Sequence, residues 1–178
     1  AEGKPIKNCT LSSEIGTKQG ELVITRYGLE GTPMYFVGTS GKATLCLRPD
    51  LALNDWMTLL RKPTTENLSP MRKLKKVGGL SEGALSIIYH LTPPAIRDNL
   101  TQLGLRAHSF PLELRRPRPL EEAISSRGGI RWNELDSSLM LKKIPGVFAC
   151  GEMIDWDAPT GGFLIQAAVA LGRKAGST

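Results

Sequence analysis

Hydrophobic positions recur with a period of two over the first third of the chain and then change rhythm. Gly20 to Gly31 (GELVITRYGLEG) alternates β-branched and polar residues and closes on glycine; Lys42 to Leu51 (KATLCLRPDL) alternates and ends at an Arg-Pro-Asp turn. Pro5 to Ser12 is a third short strand candidate. Short strands separated by glycines predict a small barrel or sandwich.

From residue 51 to 105 the period becomes helical. Leu53, Trp56 and Leu60 are spaced by three and four, with Asp50 placed as an N-cap. Ser69-Pro70 opens a second helix, which Gly78-Gly79 stops. Ser81 to Leu91 is a third, closed by Thr92-Pro93-Pro94, and Pro93 to Gly104 is a fourth, expected to end at that glycine. The Met, Trp and Leu residues at these spacings are core candidates. His108 to Trp132 is a seam: FPLELRR reads as a strand, PLEEAISS as a short helix or turn, and RGGI as a glycine turn. Its proline density places a domain boundary near residues 116–120.

The last third changes character twice. GVFAC (Gly146 to Cys150) is an unbroken apolar run, the pattern of a strand buried on both faces. GEMIDWDAPTGGF (Gly151 to Phe163) follows, then an Ala- and Leu-rich helix ending in basic residues and Gly176. Gly161 and Gly162 therefore stand at a helix N-terminus, where backbone N–H groups and the helix dipole favour an anionic or flat ligand. Glu152 and Asp155, at the end of a buried strand, are suited to accept hydrogen bonds from ribityl or ribose hydroxyls.

Composition narrows the picture. The 178 residues are 40% hydrophobic with mixed charge, as in a folded soluble protein. No apolar run approaches the length of a membrane span, and the N-terminus has no signal-peptide core. Three cysteines (Cys9, Cys46, Cys150) without CxxC spacing argue for reduced, mostly buried thiols in a cytoplasmic protein. Cys150 reads as core. Two histidines, His90 and His108, exclude a His-rich metal centre and read as structural. The net charge of +6 is concentrated in Arg61 to Lys76 and Arg115 to Pro119, and neither stretch contains an aromatic for base stacking. A solvated basic face is the plain reading, and a non-catalytic binding module, for RNA, is the alternative function.

The tail also resembles a family. Gly128-Gly129-Ile130, Met140, Pro145-Gly146-Val147-Phe148, Gly151-Glu152-x-x-Asp155 and Gly161-Gly162-Phe163 are similar to the ending of the bacterial HI0933-like, or BaiN-like, flavoproteins, labelled NAD(FAD)-utilising dehydrogenases. The segment around Gly28-Leu29-Glu30-Gly31 and the LRPDL run add to the likeness. The resemblance implies an α+β chain in two parts. Residues 1–118 would be an insert domain, with a β-barrel-like part (1–50 and 106–116) and a helical cluster (51–105). Residues 119–178 would be the strand–loop–helix tail of a split α/β FAD-binding domain. It further implies an FAD-dependent oxidoreductase, with NAD(P)H as electron donor and a small-molecule substrate. Gly151, Glu152 and Asp155 would lie near the ribityl and phosphate side of the cofactor, and Gly161, Gly162 and Phe163 near the isoalloxazine edge. No general acid or base is legible. Trp156 either shields the site or packs at the seam.

The family's Gly-x-Gly-x-x-Gly fingerprint does not occur in these residues. The chain begins at Ala1 without an initiator Met, and is read as a fragment lacking the N-terminal dinucleotide-binding half. Alone it is expected to be colourless and inactive. The apolar faces meant for the other half are expected to lead to homo-oligomerisation or disorder.

Overall fold

A computed structural model describes residues 2–37, 41–123, 128–158 and 162–177. The chain divides into two compact units, Ala1–Arg116 and Pro117–Thr178.

The first unit is built on five antiparallel strands: β1 (Pro5–Ser12), β2 (Thr17–Thr25), β3 (Gly28–Glu30), β4 (Gly41–Cys46) and β5 (Phe110–Leu114), in the order β3-β2-β1-β4-β5. The sheet is open, which corrects the barrel-like expectation. Closure needs the two edge strands to pair. Here β3 is three residues long and β5 carries Pro111, which cannot donate to a further neighbour.

A bulge in β1 decides which side chains reach the core. Ile6 and Cys9 are three residues apart, so an unbroken strand would place them on opposite faces. The register shifts between them, and Asn8 takes φ +47. Ile6, Cys9 and Leu11 are then all fully buried. Leu22, Ala43, Leu45 and Phe110 join them from the other strands.

Six helices belong to this unit among the described residues: α1 (Thr32–Val37), α2 (Leu53–Arg61), α3 (Pro70–Lys76), α4 (Glu82–Leu91), α5 (Pro94–Arg97) and α6 (Leu100–His108). The short α1 has no counterpart in the sequence reading. Trp56, Leu60, Leu74, Ile88 and Leu103 are buried in the same core, and the Trp56 indole N–H donates to the Gly104 carbonyl at 2.8 Å.

Three local expectations are corrected. Asp50 does not cap α2. Its carboxylate takes a two-pronged bond from Arg48, Nε at 2.9 Å and a terminal nitrogen at 2.8 Å, and Ala52 occupies the cap position. Leu53, at the first turn, is 39% exposed. The helix expected over residues 93–104 is two, because Asn99 accepts the Gln102 N–H and starts α6 anew. Gly104 lies inside α6 and does not end it. A Cβ there would stand 2.8 Å from Met57 Sδ and 2.9 Å from Leu60 Cδ1, so glycine lets α2 and α6 approach.

The second unit has little regular structure before its helix, α7 (Phe163–Gly176). Leu135, Leu139, Ala149 and Ile154 form its core, with Ile130, Trp156, Leu171 and Ala175 packed around them. Asp136 organises the approach. One carboxylate oxygen accepts the Ser138 N–H (2.9 Å), the Ser138 hydroxyl (2.7 Å) and the Met140 N–H (2.9 Å). These bonds hold its carboxyl below the usual range, the Ser138 hydroxyl contributing most. The GVFAC run is not a strand buried on both faces. Its only bridge joins Met140 and Phe148, and Val147 and Phe148 are 44% and 38% exposed. A strand buried on both faces needs a neighbour on each side, and the described residues pair this run on one side alone, through Leu139 to Leu141.

Candidate flavin-side site

The site forms where two loops of the second unit meet. Ile130 and Ile154 make a parallel bridge: the Ile130 N–H donates to Met153 O and the Asp155 N–H to Ile130 O, each at 2.8 Å. Gly129 permits this approach, since it has φ +142 and its Cβ would fall 2.4 Å from Met153 O. The chain before Ile154 makes a 3-10 turn, Gly151–Met153, entered by Gly151 at φ +69. Gly151 is buried, and a Cβ there would stand 3.6 Å from Ala168 Cβ on α7. The turn thus leans on the second turn of the helix. The Trp156 indole N–H closes it by donating to Gly151 O at 3.2 Å. Trp156 therefore packs within this unit.

Glu152 and Asp155 project from this turn, both exposed, and neither has a side-chain hydrogen-bond partner among the described residues. Gly162 caps α7 at φ +91, and its carbonyl accepts the Gln166 N–H at 2.9 Å. Nothing lies within 4 Å of a Cβ placed there. The N–H groups of the first turn of α7 have no acceptor within the helix. Phe163 is 61% exposed. Gly161 lies outside the described residues.

These groups suit one side of a flavin nucleotide. Two free carboxylates can accept from ribityl or ribose hydroxyls, and a helix N-terminus without a side chain at its cap can meet a phosphate or a carbonyl oxygen. Gly129 belongs to the same place, because the Ile130–Ile154 bridge carries it beside Met153. In the sequence RGGI reads as a turn and as the first element of the family resemblance, without a partner in space. Its signal was the glycine pair, but the partner lies some 25 residues on, and only the bridge reveals it.

Of the other singled-out residues, Cys9, Cys46, His90 and His108 belong to the first unit, and Cys150 directly precedes the Gly151–Met153 turn. Cys9 is fully buried in the first unit, and burial pushes its thiol up to about 11; burial also raises that of Cys46. Cys150 packs against the core of the second unit. His108 Nε2 lies 3.0 Å from Leu51 O, a structural contact. His90 meets the Tyr89 ring edge-on. In the basic stretch, Lys75 pairs with Glu82 at 2.5 Å and Lys76 with Glu66 at 2.9 Å. No helix among the described residues is long and apolar enough to cross a membrane.

Residues 9–178 match the family model described as the HI0933-like protein Rossmann domain. A Rossmann architecture is a dinucleotide-binding one, consistent with FAD, and relates the chain to flavoprotein-type oxidoreductases. Parallel pairing among the described residues is limited to the Ile130–Ile154 bridge, and that bridge builds the candidate site. With nearly its whole length matched, the chain belongs to the HI0933-like family.

Proposed function

We propose that these residues supply one side of the FAD site of an oxidoreductase, and that the glycine-rich turn cradling the pyrophosphate comes from polypeptide outside them. The observation that carries this reading is the glycine-entered turn Gly151–Met153, seated on α7, with the exposed carboxylate of Glu152 within it and that of Asp155 just after it. When bound, the flavin supplies the hydride chemistry, with NAD(P)H as electron donor and a small molecule as substrate. Glu152 and Asp155 accept hydrogen bonds from its hydroxyls. Gly162 and the first turn of α7 face its ring edge, and Phe163 covers that edge from water. The first unit is an insert domain.

The apolar surface of the second unit supports the same reading. Phe163, Ile165 and Val169 of α7 are 61%, 72% and 59% exposed. A helix with so much apolar exposure is covered in its working state. The missing half of the flavin domain is the proposed cover.

The test is the visible absorption spectrum of the chain after incubation with FAD and desalting, beside that of a longer polypeptide containing the Gly-x-Gly-x-x-Gly half. Flavin bands in the longer protein and none in this chain are expected. Flavin in neither would overturn the reading and bring forward RNA binding by the basic face, recognised by a steep salt dependence.

A further inference from the structure

The helical layer of the first unit contains two buried polar atoms with no partner among the described residues, the Thr92 hydroxyl oxygen and the Arg106 Nε. Thr92 as a whole is 1% exposed. Buried polar atoms are almost always hydrogen-bonded, so two orphans at one turn call for an explanation. They are at one turn because an Arg106 terminal nitrogen donates to Leu91 O at 3.2 Å, immediately before Thr92.

A second guanidinium reaches the same place. Arg97 Nε donates to Thr92 O at 2.9 Å. The two arginines are therefore anchored on consecutive carbonyls. Each stacks on an aromatic ring, Arg97 at 4.4 Å from the Tyr89 centroid and Arg106 at 4.7 Å from that of Phe110. Neither is paired with a carboxylate among the described residues, and Asp98, next to Arg97, is exposed and in no described ion pair. Both terminal nitrogens of Arg97 and two nitrogens of Arg106 retain donor capacity. Two rigid forks of like charge, fixed by stacking and lacking a counter-charge, match an oxyanion.

We propose that the turn from α4 to α5 is an oxyanion site, in which the terminal nitrogens of Arg97 and Arg106 hold the phosphate or carboxylate group of a small molecule above the buried Thr92. Tyr89, Leu91 and Leu105, exposed by 49%, 54% and 45%, offer an apolar wall to the body of that molecule. The proposal is independent of the flavin site, which lies in the other unit.

The experiment follows the arginine Nε–Hε resonances and backbone amides of the chain by NMR during titration with inorganic phosphate and, separately, sodium acetate. Sodium chloride at matched ionic strength is the reference. Saturable shifts at Arg97, Arg106 and Thr92 are expected with at least one of the two anions, and which one decides between phosphate and carboxylate. Arg97→Gln, at a half-exposed position, should weaken binding at least tenfold, whereas Arg72→Gln in the other basic stretch should leave it unchanged. Arg97→Lys, which keeps the charge and loses the fork, should weaken it at least threefold and serves if the glutamine variant does not fold. Shifts that do not saturate, that chloride reproduces, or that survive both Arg97 substitutions would overturn the proposal.

Discussion

Gly83→Ala and Gly172→Ala make the same chemical change in two helices, and the structure assigns them opposite signs. Replacing glycine by alanine inside a helix gains about 1 kcal/mol from backbone entropy alone. Gly172, in α7, has nothing within 4 Å of its added Cβ, so the gain is kept and the helix is stabilised by about 0.5–1 kcal/mol. Gly83, the second residue of α4, meets β1. Its Cβ would lie 2.6 Å from Pro5 O, 3.0 Å from Pro5 C and 3.1 Å from Ile6 Cγ1. That strand cannot retreat freely, since Pro5 and Ile6 pair with Val23 and Leu22, and the Ser81 hydroxyl donates to Pro5 O at 3.1 Å. Overpacking of this kind costs about 1–3 kcal/mol, and so near the helix start the propensity gain is smaller. A net loss of roughly 1–2 kcal/mol is expected. Urea unfolding followed by Trp56 fluorescence, in a Trp132→Phe/Trp156→Phe background, reads the first unit. Hydrogen exchange of the α7 amides reads the second. A raised midpoint for Gly83→Ala would refute the close crossing of α4 on β1, and faster exchange in Gly172→Ala would show that α7 is packed where it is described as open.

The bulge in β1 makes a related prediction: Asn8→Gly should be tolerated within about 1 kcal/mol in urea unfolding, and Asn8→Val should cost at least about 1–2 kcal/mol, because a β-branched residue resists φ +47. Equal effects would remove the bulge as the cause of the Ile6–Cys9 register. Cys9 sets an alkaline limit. Its thiol is raised from 9.0 to about 11, so between those values the unfolded chain loses the proton and the folded chain keeps it. Stability is intact below pH 9 and falls by on the order of 2 kcal/mol by pH 11, and Cys9→Ala should flatten that fall in urea titrations at each pH. Gly129→Ala forces its Cβ against Met153 O at 2.4 Å and should open the Ile130–Ile154 bridge. In a polypeptide carrying both halves of the flavin domain, the expected result is loss of bound flavin on desalting, read at 450 nm, with the unfolding midpoint of the first unit unchanged.

The sequence was informative where local physics decides. The limits of β1 match the strand candidate Pro5 to Ser12, Ser81 caps α4 by accepting the Ala84 N–H at 3.3 Å, and α7 begins at Phe163 after glycine. These are matters of period, cap and breaker, which act within a few residues. Asp50 shows the limit of that reasoning: its carboxylate is suited to a cap and to an ion pair alike, and Arg48, two residues away, takes it. GVFAC shows another limit, since an apolar run states that a segment wants to be buried and not what will bury it.

Of the candidate site, the sequence by itself determined the residue types. It set carboxylates and glycines after an apolar run and before a helix, and a motif set specific enough to point to the family. It also determined that helices would follow strands in the first 116 residues. Only the tertiary structure decided that the sheet stays open, because closure depends on whether its edge strands can pair with each other. Only the structure decided that Gly104 belongs inside a helix, because the reason is Met57 and Leu60 on another one. And only the structure joined Gly129 to Met153, since that contact depends on two loops folding onto the same small core, a long-range outcome that no local pattern encodes.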